Sequence, residues 1–232
     1  MNAPSPNPLT NARLQLDSSE LPRYIAIEGP IGAGKTTLAK KLAETFHYPL
    51  LLEPVSENPF LTDFYREARS NALPTQLFFL LNRARQIGEL AEDDLFHPTL
   101  VADFLIEKDR LFAQINLDQD ELQLYEQIYR KLDINAPPPD LVIYLQAPVN
   151  ILSERIKRRG IASEQYIEQE YLTRLINAYT RFFHFYDVAP LLIVNAADSD
   201  FGNNDEHFSR LLNQITRMDG VRQYFNPQPS LL

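Results

Sequence analysis

Apolar residues along this chain fall into short continuous runs separated by longer stretches with helical spacing. The first run, "YIAIEG" from Tyr24, is rich in β-formers, and Gly34 to about Phe46 follows with apolar residues three and four apart. "YPLLLEP" is a second run, stopped by Pro54. Helical patterns are predicted over 57–70 and 74–91, the latter carrying "QLFFLLNRARQIGEL". "TLVADF" predicts a third strand and 105–115 and 119–133 two further helices, before "APPPD" punctuates and "LVIYLQA" makes a fourth strand. Pro148 suits the first turn of a helix reaching "RIKRRG". An aromatic helix over 168–187, a fifth strand "LLIVNA" and a helix at about 205–217 follow, and the final "RQYFNPQPSLL" reads as irregular.

Strands alternating with helices predict a parallel sheet covered on both faces. No internal repeat or linker breaks the pattern, so one domain is expected over 23–218, with a Pro/Asn/Ser-containing tail at 1–22 and a second tail at 219–232.

The 232 residues suit one such domain with a sizeable core, and 44% hydrophobic and 23% charged residues are ordinary for a globular protein. A net charge of −9 with no long basic run argues against nucleic acid as a partner. Any anionic ligand must therefore be held by a local cluster of positive charge. The absence of cysteine excludes disulfides and thiolate metal sites and fits a reducing cytoplasm. No apolar run approaches the roughly 20 residues of a membrane span, and the N-terminus lacks a charged-then-apolar signal pattern. The four histidines form no i, i+4 pair, so an imidazole metal site is not expected.

One stretch carries explicit chemistry. Gly29-Pro30-Ile31-Gly32-Ala33-Gly34-Lys35-Thr36 satisfies G-x-x-x-x-G-K-[ST] in full, after a predicted strand and at the start of a predicted helix. Such a loop turns backbone amides inward around phosphate oxygens and adds the helix dipole. Lys35 would bridge the β- and γ-phosphates, the Thr36 hydroxyl would face Mg²⁺, and Thr37 continues the loop. This implies a nucleoside triphosphate such as ATP, with magnesium, and leaves the acceptor open.

Further motifs narrow the acceptor. "LLLEPVSENPFLTDFY" resembles the deoxynucleoside kinases, in which a Glu-Pro-Val after the second strand supplies the general base; Glu53 holds that place. The resemblance runs from about Arg23 to Phe201. Gln76 and, seven positions on, Arg83 stand where the family places two base-reading residues, and Tyr65, eleven before Gln76, where it places a tyrosine for the sugar 3′-hydroxyl. "ERIKRRGIASEQ" resembles the family's arginine lid, about 155–165, with Arg155 and Arg159 implied to clamp phosphate and Glu164 to bind the 3′-hydroxyl. "VNAADSDF", with Asp200 and Phe201, resembles the loop that packs on the donor's base.

The resemblance thus implies a P-loop NTPase three-layer α/β/α sandwich with a five-stranded parallel sheet and a short arginine-rich lid. The implied activity is transfer of the ATP γ-phosphate to the 5′-hydroxyl of a deoxyribonucleoside, by a homodimer. Taken singly, Glu53 reads equally as a solvated strand-end carboxylate, the lid arginines as a basic helix end, and Gln76 and Arg83 as an exposed helix face. A nucleoside monophosphate kinase is the first alternative, with only Arg66 and Arg69 as extra cations near Tyr65; a nucleotide-binding subunit without turnover is the second.

The chain also departs from the family. Where Glu-Arg-Ser or Asp-Arg-Ser usually ends the third strand, with its Arg paired to the catalytic Glu, this chain has Asp103-Phe104-Leu105. Asp103 stays a candidate magnesium ligand, and Asp109 falls where the family pairs an acid with the base-reading Arg, here Arg83. Ile161 occupies a lid position that is usually Arg. A Glu53 left without its Arg is expected to be desolvated and to have a raised pKa, unless Lys108 or Arg110 supplies the charge.

Overall fold

The computed structural model describes residues 21–67, 70–93 and 99–228. Six strands form one parallel sheet in the order β2-β3-β1-β4-β5-β6: β1 (Tyr24–Glu28), β2 (Leu50–Leu51), β3 (Leu100–Ala102), β4 (Leu141–Gln146), β5 (Leu191–Asn195) and β6 (Arg222–Phe225). The helices are α1 (Lys35–Phe46), α2 (Leu61–Arg66), α3 (Ala72–Asp93), α4 (Lys108–Asn116), α5 (Gln119–Leu132), α6 (Val149–Arg159), α7 (Gln169–His184) and α8 (Asp205–Thr216).

The continuous apolar runs are strands buried on both faces, with side chains alternating between two cores. Ile25, Ile27, Val101, Ile143 and Val194 face a core built with α1, α6 and α8. Ala26, Ala102, Val142, Tyr144 and Ile193 face the other, built with α4 and the C-terminal half of α7. There Tyr144 stacks on Phe183 with ring centroids 4.3 Å apart, so the aromatic helix is core, as its composition suggests. A third cluster joins α2 to α5 through Phe64, Leu80, Leu117 and Tyr125.

Three sequence expectations change. The sheet has six strands, because "RQYF" within the expected irregular tail pairs with β5, Leu191 to Arg222 through Val194 to Phe225. The run is short, half polar and on a sheet edge, so it lacks the apolar signature that marks the other strands. The helix expected over 57–70 shrinks to Leu61–Arg66, preceded by a 3-10 turn at Val55–Glu57. Asn58 holds the entry open: its Oδ1 accepts from Phe60 N at 3.0 Å and its Nδ2 donates to the Thr75 carbonyl at 3.2 Å. The helix expected from 105 begins at Lys108, after a turn whose Leu105 N–H donates to Glu28 Oε1 at 2.7 Å.

The strand order positions everything that follows. β2, β3 and β1 are neighbours running the same way, so the segments leaving their C-terminal ends lie side by side, the usual binding edge of such a sheet.

Candidate active site

The loop after β1 has the cradle geometry its sequence implies. Gly32 and Gly34 adopt φ of 84° and 100°, the left-handed region where a side chain is strained. A Cβ on Gly32 would also sit 2.9 Å from the Leu152 carbonyl oxygen. Gly32→Ala is therefore expected to cost about 1–3 kcal/mol of stability, read as a lowered Tm in a thermal melt; an unchanged Tm would refute the packing argument. Lys35 Nζ donates to the carbonyls of Gly29 at 2.8 Å and Pro30 at 3.3 Å, bracing the loop. Burial and the neighbouring Lys108 bring its ammonium pKa down to about 8, against the pull of Glu28, Asp103 and Glu53.

Asp103, just past β3, joins the loop to the end of β2. Its Oδ2 accepts from the Thr36 hydroxyl at 2.6 Å and its Oδ1 from the Glu53 amide at 2.8 Å. Among the described residues no group of three or more His, Cys, Asp or Glu could hold a metal ion. One hydroxyl and one carboxylate beside a phosphate cradle is nevertheless a hard oxygen set suited to Mg²⁺, which takes most of its ligands from substrate phosphate and water.

Glu53 is gripped from two sides. Arg83 Nη2 bonds its Oε1, and Lys108 Nζ lies 3.3 Å from its Oε2. Burial pushes the Glu53 carboxyl up, but Arg83, Lys108 and Lys35 outweigh it and hold the pKa down at about 2. A raised value was expected only if nothing replaced the missing Arg, and Lys108 and Arg83 replace it. Phe104 supplies no charge, and its ring instead covers Arg83 from 5.7 Å; the cations come from α3 and α4. Arg110, the other candidate for the missing charge, is tied at the surface to Glu126 at 2.9 Å.

Arg83 also bonds Asp109, so the pair expected from the spacing forms. Both are nearly fully buried, with the Phe79 ring 5.4 Å from the guanidinium. Burial would lower the Arg83 pKa, but Asp109 and Glu53 raise it further; burial keeps Asp109 raised despite Arg83. Gln76 is buried two helical turns earlier on α3. Tyr125 of α5 is buried close to this pair.

In the lid, Arg159 Nε donates to Glu164 Oε2 at 3.0 Å, and Glu164 is buried. Burial, with the charges of Tyr171, Glu164 and Glu53, pushes the Tyr65 hydroxyl pKa up. Arg155 borders the same cleft as the phosphate loop, and its Nη2 donates to the carbonyls of Ala196 at 2.7 Å, Ser199 at 3.0 Å and Ala197 at 3.2 Å. The loop after β5 leaves those carbonyls unpaired by any strand, and this one guanidinium nitrogen satisfies them. Asp200 is occupied with Asn203, while Phe201 is buried in the core against α1 and α8. An open cleft of about 500 Å³ lies between the phosphate loop, α6 and this loop, bordered by Gly32, Gly34, Thr37, Arg158, Asp200 and Phe201. Ile161 is 43% exposed and brings no charge. Arg66 is exposed beside Tyr166, 3.4 Å from its hydroxyl, and Arg69 lies outside the described residues, as does His97.

Two residues of this cluster escaped the sequence reading. Glu28, with 0% exposure, accepts from Gly29 N at 3.1 Å, Leu105 N at 2.7 Å and the Tyr179 hydroxyl at 2.9 Å. Lys108 lies 3.7 Å from its Oε1. A glutamate ending the otherwise apolar "YIAIE" was the available signal for Glu28; Tyr179, from the aromatic helix, had none.

Residues 25–218 match the family described as deoxynucleoside kinase. A deoxyguanosine kinase of Bacillus subtilis is 35% identical over 200 residues, covering 84% of this chain and 97% of its own length. A deoxyadenosine kinase of Lactobacillus acidophilus is 28% identical over 207 residues, 83% and 94% of the two chains. Among solved structures, a deoxyadenosine kinase from M. mycoides with bound dATP superposes with a TM-score of 0.71 at 28% identity, covering 82% of this chain and 99% of that one.

Proposed function

The chain belongs to the deoxynucleoside kinase family and is an ATP-dependent deoxynucleoside kinase, and we propose how its residues divide that work. Glu53 is the general base that takes the proton of the sugar 5′-hydroxyl. The observation that carries this role is its place: a carboxylate ionised above a pH of about 2, bonded through its own amide to the acid that holds the phosphate loop's Thr36. A hydroxyl is a poor nucleophile, so a fixed carboxylate beside the transferring phosphate lowers the barrier.

Lys35 and the loop amides hold the donor's phosphates, with Gly29, Ile31, Gly32, Ala33, Gly34, Thr36 and Thr37 as the cradle. Thr36 and Asp103 are the residues that would hold Mg²⁺, which neutralises phosphate charge when bound. Arg159 is the lid cation nearest the sugar. Arg155 serves the donor's base by holding the loop of Asp200 and Phe201 in shape. Gln76 and Arg83 of α3, with Asp109 of α4, read the acceptor's base. Names of the relatives point to purines, so we assign deoxyguanosine or deoxyadenosine as the preferred acceptor. A homodimer is part of the same reading: α3 spans 22 residues and leaves Leu81 half exposed, which suits a helix-to-helix interface. No helix among the described residues is long and apolar enough to cross a membrane; we place the enzyme in the cytoplasm, where both substrates are found.

The test is turnover of Mg-ATP with the four common deoxynucleosides and their ribo counterparts, scored as 5′-monophosphate. A purine deoxynucleoside should have the highest kcat/KM. A pyrimidine leading by tenfold would overturn the acceptor assignment.

Tyr65 and Glu164 are assigned to the sugar 3′-hydroxyl. A site built around a hydroxyl leaves its own buried polar groups unpaired when the hydroxyl is missing. The 2′,3′-dideoxy analogue of the preferred substrate is expected to lose at least about 10²-fold in kcat/KM. Equal values for both compounds would remove these two residues from the acceptor site.

A further inference from the structure

Lys108 opens α4 with only 3% of its surface exposed, and none of the roles above uses it directly. A lysine this buried is tolerated only when paired, and its two neighbours are both carboxylates: Glu53 Oε2 at 3.3 Å and Glu28 Oε1 at 3.7 Å. Glu28 is itself immobilised by two backbone amides and the Tyr179 hydroxyl. The three side chains therefore form a chain from a fixed anchor to the reacting carboxylate.

Glu53 has two oxygens to orient. Arg83 takes Oε1 and is locked in turn by Asp109. That contact alone would let the carboxylate turn about its last bond. A second contact at Oε2 removes this freedom, and a base misplaced by 1 Å loses about 10²-fold in rate. We propose that Lys108 is a positioning residue for phosphoryl transfer: braced on Glu28, it holds Oε2 of Glu53 and so aims the base. The inference rests on Glu53 being that base. It also gives the departure at Phe104 a physical sense, since the cation reaches Glu53 from the next helix and leaves residue 104 free to cover Arg83 with a ring.

The experiment compares kcat and both KM values for the wild type, Lys108→Met, Lys108→Arg, Glu53→Gln and the double variant Lys108→Met/Glu53→Gln. Methionine keeps the unbranched stem and removes the ammonium. Lys108→Met is expected to lower kcat about 30- to 100-fold with both KM values within about threefold, and Lys108→Arg to restore most of the loss. The double variant should be no slower than Glu53→Gln within about twofold, because nothing remains to be aimed. A kcat within threefold of wild type in Lys108→Met, a rise in KM alone, or losses that multiply in the double variant would each overturn the proposal. Should Lys108→Met fail to fold, Lys108→Gln carries the same comparison. An undiminished kcat in Glu53→Gln alone is the separate result that removes the base assignment beneath it.

Discussion

Lys35→Ala is expected to leave the fold intact and remove roughly 10³-fold or more from kcat/KM, about 4 kcal/mol of transition-state stabilisation. Lys35 contributes nothing to either core; its ammonium only braces the loop through the Gly29 and Pro30 carbonyls until phosphate replaces them. The loss should therefore appear in steady-state rates and not in far-UV circular dichroism. A folded variant with near-normal rates would show that this loop does not carry the donor. The lowered pKa of about 8 adds a second signature. A lysine is charged below its pKa, and the charged form attracts polyphosphate. Apparent ATP affinity should therefore hold below pH 8 and weaken above it, with about a tenth of the free enzyme still charged at pH 9. In Lys35→Ala that decline should vanish.

Glu53→Gln is expected to lower kcat by about 10²- to 10⁴-fold while deoxynucleoside affinity changes little. The amide keeps the carboxylate's shape and can still meet Arg83 poorly, but it cannot accept a proton. Collapse of affinity with kcat preserved would make Glu53 a binding residue. The depressed pKa of about 2 fixes the sign of the pH effect. A carboxylate loses its proton above its pKa, so Glu53 is ready as a base throughout the range in which the protein is assayed. No acid limb from Glu53 should appear in kcat/KM between pH 5 and 7. A limb near pH 6 that disappears in Glu53→Gln would show that the flanking cations do not hold it ionised.

What was legible in the sequence was whatever depends on neighbours in the chain. The phosphate loop is one continuous segment whose glycines and lysine act together, and the apolar runs of β1, β4 and β5 declare strands without help from elsewhere. Glu53 and Asp103 could be placed because each closes a strand. Contacts between distant segments could not be ranked in the same way. Lys108 reaches Glu53 across 55 positions, and spacing offered no reason to prefer it to Arg110. Arg83 was expected at the acceptor's base, beside Asp109; that it also grips Glu53 depends on where the fold sets α3 against the segment after β2. The second set of partners of Arg155 was hidden for a related reason. A basic lid suggests phosphate, but three backbone carbonyls of a strandless loop are a competing claim that only the folded chain reveals. β6 was missed because an edge strand takes its definition from the partner it joins.

Arg155 links two parts of the fold that border one cleft. Its guanidinium belongs to α6, while the three carbonyls it holds belong to residues 196–199. An outward swing of α6 must either break those hydrogen bonds or carry the loop along. Arg155 thus couples α6 to the loop after β5. A donor seated against that loop would bear on α6 through the same three hydrogen bonds.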